Sequence, residues 1–203
     1  LAQSLTTVTT DNDTVGLVLS KTTATLSESG TTDNFSLVLS SEPTATVTLT
    51  LSDNDSTEVS ATPSTLSFGS GNWSVAQWVT LTGKDDNVSD DNQTTLLTLT
   101  PSGGDYSGLA APTVTVTTSD NDTVGLLLSK SSALVSENGS VSDNFSVVLR
   151  SEPTANVTLT LSDNDSTEVT ASPTSLSFSS GNWSVAQWVS LTGKDDNVSD
   201  DNQ

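Results

Sequence analysis

Trp78-Val79-Thr80-Leu81-Thr82, then Gly83-Lys84-Asp85-Asp86-Asn87-Val88-Ser89-Asp90-Asp91-Asn92-Gln93, then Thr95-Leu96-Leu97-Thr98-Leu99-Thr100: two alternating segments enclose an acidic run. Alternation at period two marks a strand with one face buried and one face wet, so the flanks read as strands and the run as their connecting loop. The loop returns letter for letter as Gly193 to Gln203. Asp85, Asp86, Asp90 and Asp91 share it with a single cation, Lys84. Carboxylates crowded in this way repel one another, and relief comes from full solvation or from a bound hard cation. The chain has no His and no Cys, so an oxygen-only ligand set points to Ca2+ rather than zinc or copper.

Outward from this loop, the chain is a tandem repeat. Asp11-Asn12-Asp13-Thr14-Val15-Gly16-Leu17 recurs at Asp120 to Leu126, 109 residues on, and Asp33-Asn34-Phe35-Ser36 recurs at Asp143 to Ser146, 110 residues on. A period of this length holds a full set of strands, which means separate domains in a row rather than a solenoid of small units. Residues 1–13 correspond to the last strand of a preceding repeat, 14–122 to one complete repeat, and 123–203 to a second repeat without its last two strands. The sequence is therefore expected to be a window on a longer chain.

Inside one repeat, Thr14 to Ser20 and Ala24 to Glu28 read as a first, split strand. Phe35, Leu37 and Leu39 alternate with polar residues, as do Val47, Leu49 and Leu51. Leu66-Ser67-Phe68, Val75 to Thr82, Thr94 to Thr100 and Thr113 to Thr118 complete about seven strands, separated by the regular turns of a β-sandwich. Nothing has helical period. The expected fold is all-β, a repeated antiparallel sandwich.

Further acids cluster at strand ends: Glu28 after the first strand, Asp53 and Asp55 after the third, and Asp120 and Asp122 after the last. Residues i and i+2 of an extended chain face the same way, so Asp120 and Asp122 can offer two carboxylates to one ion. The loops after alternate strands gather at one end of a sandwich, which would bring these groups together at the repeat junction.

The repeat resembles the Calx-β superfamily in its tandem, bacterial-type surface forms. The segments that carry the resemblance are Leu26-Ser27-Glu28-Ser29-Gly30, Asn72-Trp73-Ser74, Thr80 to Asp86, and Thr115 to Asp122. It covers the whole unit and implies an immunoglobulin-like sandwich. By the family's pattern, the calcium ligands would be Glu28, Asp53, Asp85, Asp86, Asp90, Asp120 and Asp122. In the second repeat they would be Glu137, Asp163, Asp195, Asp196 and Asp200. Asn87, Gln93 and Asn121 stand where strong binders often carry acids, which suggests fewer ions or weaker sites, in the ~10⁻⁴–10⁻³ M range of extracellular modules. The alternative is a set of solvated acidic turns with no ion.

Of 14 asparagines, 13 stand in Asn-X-Ser/Thr with X not Pro. This frame is the acceptor for N-glycosylation. Two repeat differences, Ser29 to Asn138 and Thr46 to Asn156, both create it. Asn12, Asn54, Asn87, Asn121, Asn164 and Asn197 sit among acids and fit turn duty equally well. Asn34, Asn72, Asn92, Asn138, Asn144, Asn156 and Asn182 are the expected glycan sites. Trp78 and Trp188 fall on a Thr-rich strand face, where an aromatic either stacks on a sugar or neighbouring repeat or is partly covered by an adjacent loop.

A formal charge of −20 argues against nucleic acid and anionic lipid as partners. No apolar run is long enough to span a bilayer, so no membrane insertion is expected in this window. Without His or Cys, and with five cations, a nucleophile–base pair is hard to assemble. Paired carboxylates could in principle serve a glycosidase, but they lie in loops repeated identically in each unit, which fits a structural duty better, and an enzyme is not expected. The expected function is that of an extracellular or cell-surface protein, a calcium-stiffened, N-glycosylated filament, stalk or matrix fibre. Its partners would be neighbouring repeats, identical chains and glycans. The alternative is the spacer of a calcium-dependent adhesin whose ligand-binding domain lies elsewhere, and an ion-sensing module is a weaker third.

Overall fold

A computed structural model describes residues 3–162 and 167–195, which divide into two compact units. The first carries β1 (Leu17–Leu19), β2 (Thr23–Ser27), β3 (Thr32–Leu39), β4 (Val47–Asp53), β5 (Val59–Thr62), β6 (Thr65–Phe68), β7 (Gln77–Gly83), β8 (Gln93–Ser102) and β9 (Thr113–Ser119). One sheet runs β1-β3-β7-β5 and the other β2-β9-β8-β4-β6. Residues 3–16 carry no strand.

Period-two alternation builds the core. Phe35, Leu37 and Leu39 of β3 and Val79 and Leu81 of β7 point inward from one sheet. They pack in one cluster with Val47, Leu49, Leu97, Leu99, Val114 and Val116 of the other. Intervening Thr and Ser face water, so a modest apolar content suffices for a two-layer sandwich. Tyr106, in the 3-10 turn Gly104–Tyr106, is fully buried and donates its hydroxyl to Ser41 O at 2.8 Å. Trp73 packs against the same cluster.

The expected first strand is two strands in opposite sheets. Ser20 N–H donates to Ser36 O at 2.9 Å and ends the run beside β3. The chain then crosses, and Thr115 N–H donates to Thr22 O at 2.9 Å to open the pairing of β2 with β9. That pairing is parallel, from Thr23↔Thr115 to Ser27↔Ser119, whereas the first unit's other strand pairs are antiparallel. β5 was not expected. It is short, and its neighbour Glu58 is buried.

The second unit carries β10 (Leu126–Leu128), β11 (Ser142–Leu149), β12 (Val157–Thr160), β13 (Val169–Ser172), β14 (Ser175–Phe178) and β15 (Gln187–Gly193). Its sheets are β10-β11-β15-β13 and β12-β14. Val147, Leu149, Leu176, Phe178 and Val189 form its core, with Trp183 against them. The counterpart of β2, residues 132–136, carries no strand. In the first unit that strand is held by β9, and among the described residues no segment of the second unit takes that place. Among the described residues, no helix is long and apolar enough to cross a membrane.

Candidate metal centre

The site is built at the ends of β2 and β9. Parallel pairing runs both strands in one direction, so their C-terminal ends emerge side by side. Glu28 N–H donates to Ser119 O at 3.2 Å, extending the ladder one residue and setting Glu28 against the start of the Ser119–Asp122 run. Gly83 closes the corner. Its N–H donates to Thr31 O at 3.0 Å, and a Cβ at this position would stand 2.3 Å from Ser27 O. Only glycine lets β7 approach so near the backbone beside Glu28.

One carboxylate oxygen from each of Glu28, Asp120 and Asp122 lies within 4.8 Å of the other two. Glu28 is 1% exposed, and the two aspartates are half-buried. Three carboxylates held this close, one of them out of water, favour a bound cation or a shared proton. Two oxygens on one Ca2+ at 2.3–2.6 Å are separated by no more than about 5 Å, so the spacing fits a hard divalent ion. The donor set is oxygen only, which suits Ca2+ and leaves soft metals without a ligand.

The acidic loop supports this group through its backbone and an amide. Asp91, in the left-handed region at φ 66°, donates its N–H to Asp120 Oδ2 at 3.1 Å. Asn92 Oδ1 accepts from Asp120 N–H at 3.2 Å. The sequence reading singled out neither residue for this role; the only local signal was Asp-Asn, a pair that tolerates left-handed backbone. Of the expected ligands, Glu28, Asp120 and Asp122 come together, while Asp53, Asp85, Asp86 and Asp90 stand outside the group. Asp53 ends β4, opposite Leu97. In the second unit Glu137 and Asp195 are exposed, and Asp163, Asp196 and Asp200 lie outside the described residues.

Cation pairing takes other acids. Lys21 contacts Asp33 and lowers its pKa, and Lys130 holds the Asp143 carboxyl down to about 2, helped by the Asn144 and Leu134 N–H groups.

The expected glycan sites divide by what their carboxamides do. Asn72 accepts from Gly69 N–H at 2.7 Å and donates to Ser67 O at 3.1 Å; Asn182 repeats this with Ser179 and Ser177. Asn138 accepts from Ser140 N–H at 2.9 Å, and Asn92 supports Asp120. Asn34, Asn144 and Asn156 are exposed. At the first two the hydrogen bonds described are those of the backbone N–H, to Asp33 and Asp143 at 2.7 and 2.8 Å. Trp78 and Trp188 are 58% and 59% exposed.

No known protein-family profile and no curated protein sequence matches this chain. Among solved structures, it is similar to the calcium binding domain CBD12 of CALX1.1, at 18% identity and a TM-score of 0.42, covering 87% of this chain and 74% of that one. It is also similar to CBD12 from CALX1.2, at 16% identity and a TM-score of 0.41, covering 90% and 76%. A third similarity is to SSP-19, an MSP-domain protein-like family member of Caenorhabditis elegans, at 13% identity and a TM-score of 0.35, covering 50% and 96%.

Proposed function

We propose that this chain is a structural tandem-repeat protein of the Calx-β type, acting outside the cell, whose repeats bind Ca2+ through Glu28, Asp120 and Asp122. The observation that carries this reading is the buried Glu28 carboxylate brought within 4.8 Å of the two aspartates by a parallel strand pair. Glu28 and Asp120 clamp the ends of two strands, and Asp122 lies on the short run that leaves the sandwich. An ion shared by all three ties the outgoing chain to the sheet and limits its freedom. Repeated along an array, that restraint makes a filament, stalk or matrix fibre stiff while calcium is present and pliable without it. The protein's work is mechanical: its paired carboxylates are arranged for holding an ion, and the sequence offers no His or Cys for nucleophilic or acid–base partnership. N-glycans on exposed sequons such as Asn34, Asn144 and Asn156 shield the hydroxyl-rich faces.

The experiment is thermal unfolding with millimolar Ca2+ and with chelator, alongside imaging of native material in both conditions. An ion that binds only the folded state raises the melting temperature in proportion to its occupancy. A calcium-dependent rise with loss of stiffness in chelator supports the reading; identical melting and identical flexibility in both conditions overturn it.

A further inference from the structure

In β3 the outward side chains are Thr32, Asn34, Ser36 and Val38; in β7 they are Trp78, Thr80 and Thr82. The register sets Asn34 opposite Thr80 and Ser36 opposite Trp78. Asn34 and Trp78 are therefore diagonal neighbours on one wet face, a separation of roughly 7–8 Å that long and aromatic side chains span. Ser36, the small residue facing the indole, is also the hydroxyl of the Asn34-Phe35-Ser36 acceptor frame. The second unit repeats the register and the frame, with Ser146 buried where Ser36 is half-buried. Asn144 pairs with Ser190, Ser146 pairs with Trp188, and Asn144-Phe145-Ser146 is again an acceptor frame.

A large ring more than half exposed at the same register in both units forfeits its burial energy twice, although Thr or Ser at that position would serve a solvated strand as well. A flat apolar ring face bordered by hydroxyls suits the C–H-rich face of a pyranose, as aromatic platforms suit other amphipathic groups. At the diagonal separation that this register sets, a first sugar attached to Asn34 is within reach of that ring.

We infer that Asn34 and Asn144 are N-glycosylated and that the first sugar of each glycan stacks on Trp78 and Trp188 of the same unit. The inference rests on the glycosylated surface proposed above and assigns its two anchoring sites. The indole buries one face of the sugar, the glycan root is held against the sheet, and the exposed ring is withdrawn from contact with other chains.

The test is secretion of the complete chain from a eukaryotic cell with N-glycosylation machinery. Site occupancy is read by glycopeptide mass spectrometry. Acrylamide quenching of tryptophan is then compared before and after enzymatic removal of the glycans, with Trp78→Ala/Trp188→Ala as control. The expected result is occupancy at both sites and quenching of the exposed tryptophans that rises about twofold on deglycosylation, because a stacked ring regains access to one face. In the Trp78→Ala/Trp188→Ala chain the change disappears. Occupied sites with unchanged quenching overturn the stacking and leave the glycan coat standing. Bare Asn34 and Asn144 overturn the inference outright, and occupancy of other sequons then decides the coat separately. Tryptophans already protected in a deglycosylated dimer would assign the ring face to a second copy and also overturn it.

Discussion

Glu28 N–H donates to Ser119 O at 3.2 Å, one residue beyond the last parallel pair of β2 and β9. That contact decides where the Glu28 carboxylate goes. A strand paired antiparallel would end away from the end of its neighbour, whereas parallel strands deliver both ends to one place. Asp120 follows Ser119 directly, and so the acids meet by topology.

Gly83 guards the same corner. Gly83→Ala places a methyl group 2.3 Å from Ser27 O, far inside van der Waals contact. Relief requires β7 or the end of β2 to shift, at a cost of about 1–3 kcal/mol. The expected outcome is a lower melting temperature and weaker calcium binding together, since the moved carbonyl adjoins Glu28. Gly193, whose Cβ would meet Ser136 O at 2.3 Å, should behave alike in stability.

Tyr106→Phe removes a buried hydroxyl that donates to Ser41 O at 2.8 Å and accepts from Ser41 N–H at 3.2 Å. Both Ser41 groups are left buried without that partner, a loss of about 1–3 kcal/mol. Denaturant unfolding should show the midpoint falling with an unchanged slope.

Asp143 titrates low because Lys130 faces it. Its folded value of about 2 lies below the ordinary 3.8, so its stabilising effect is complete above the ordinary value and is lost as pH falls toward about 2. Lys130→Met should return the Asp143 titration toward the ordinary carboxylate range. Carboxyl chemical shifts followed over that acid window report the change, and an unmoved titration would show that the Asn144 and Leu134 N–H groups suffice.

Much of the sandwich is legible from the residues. Phe35, Leu37 and Leu39, or Val79 and Leu81, alternate so strictly that strand, face and core follow from period two. β5 is not legible, because Val59 is its only fully buried side chain and Pro63 ends it after four residues. The parallel joining of β2 to β9 is not legible either: the partners lie more than 90 residues apart, and no local pattern records which distant edge a short strand will choose.

The same division runs through the candidate site. Glu28, Asp120 and Asp122 are conspicuous as acids at strand ends, and the structure gathers them. Asp85, Asp86 and Asp90 are equally conspicuous, but the group whose oxygens lie within 4.8 Å of one another is Glu28, Asp120 and Asp122, and charge clustering in sequence does not by itself say which acids meet. The loop reaches Asp120 through the Asp91 N–H and the Asn92 amide, contacts set by the loop's backbone path.

The most direct test of the calcium account is calorimetric titration of the complete chain with Ca2+, run in parallel on Glu28→Gln. The substitution keeps the size of a buried side chain and removes its charge. The account predicts saturable uptake by the native chain and affinity at least tenfold weaker in the variant, about 1.4 kcal/mol. Absence of binding heat at millimolar Ca2+, or equal affinity in the two proteins, would contradict it.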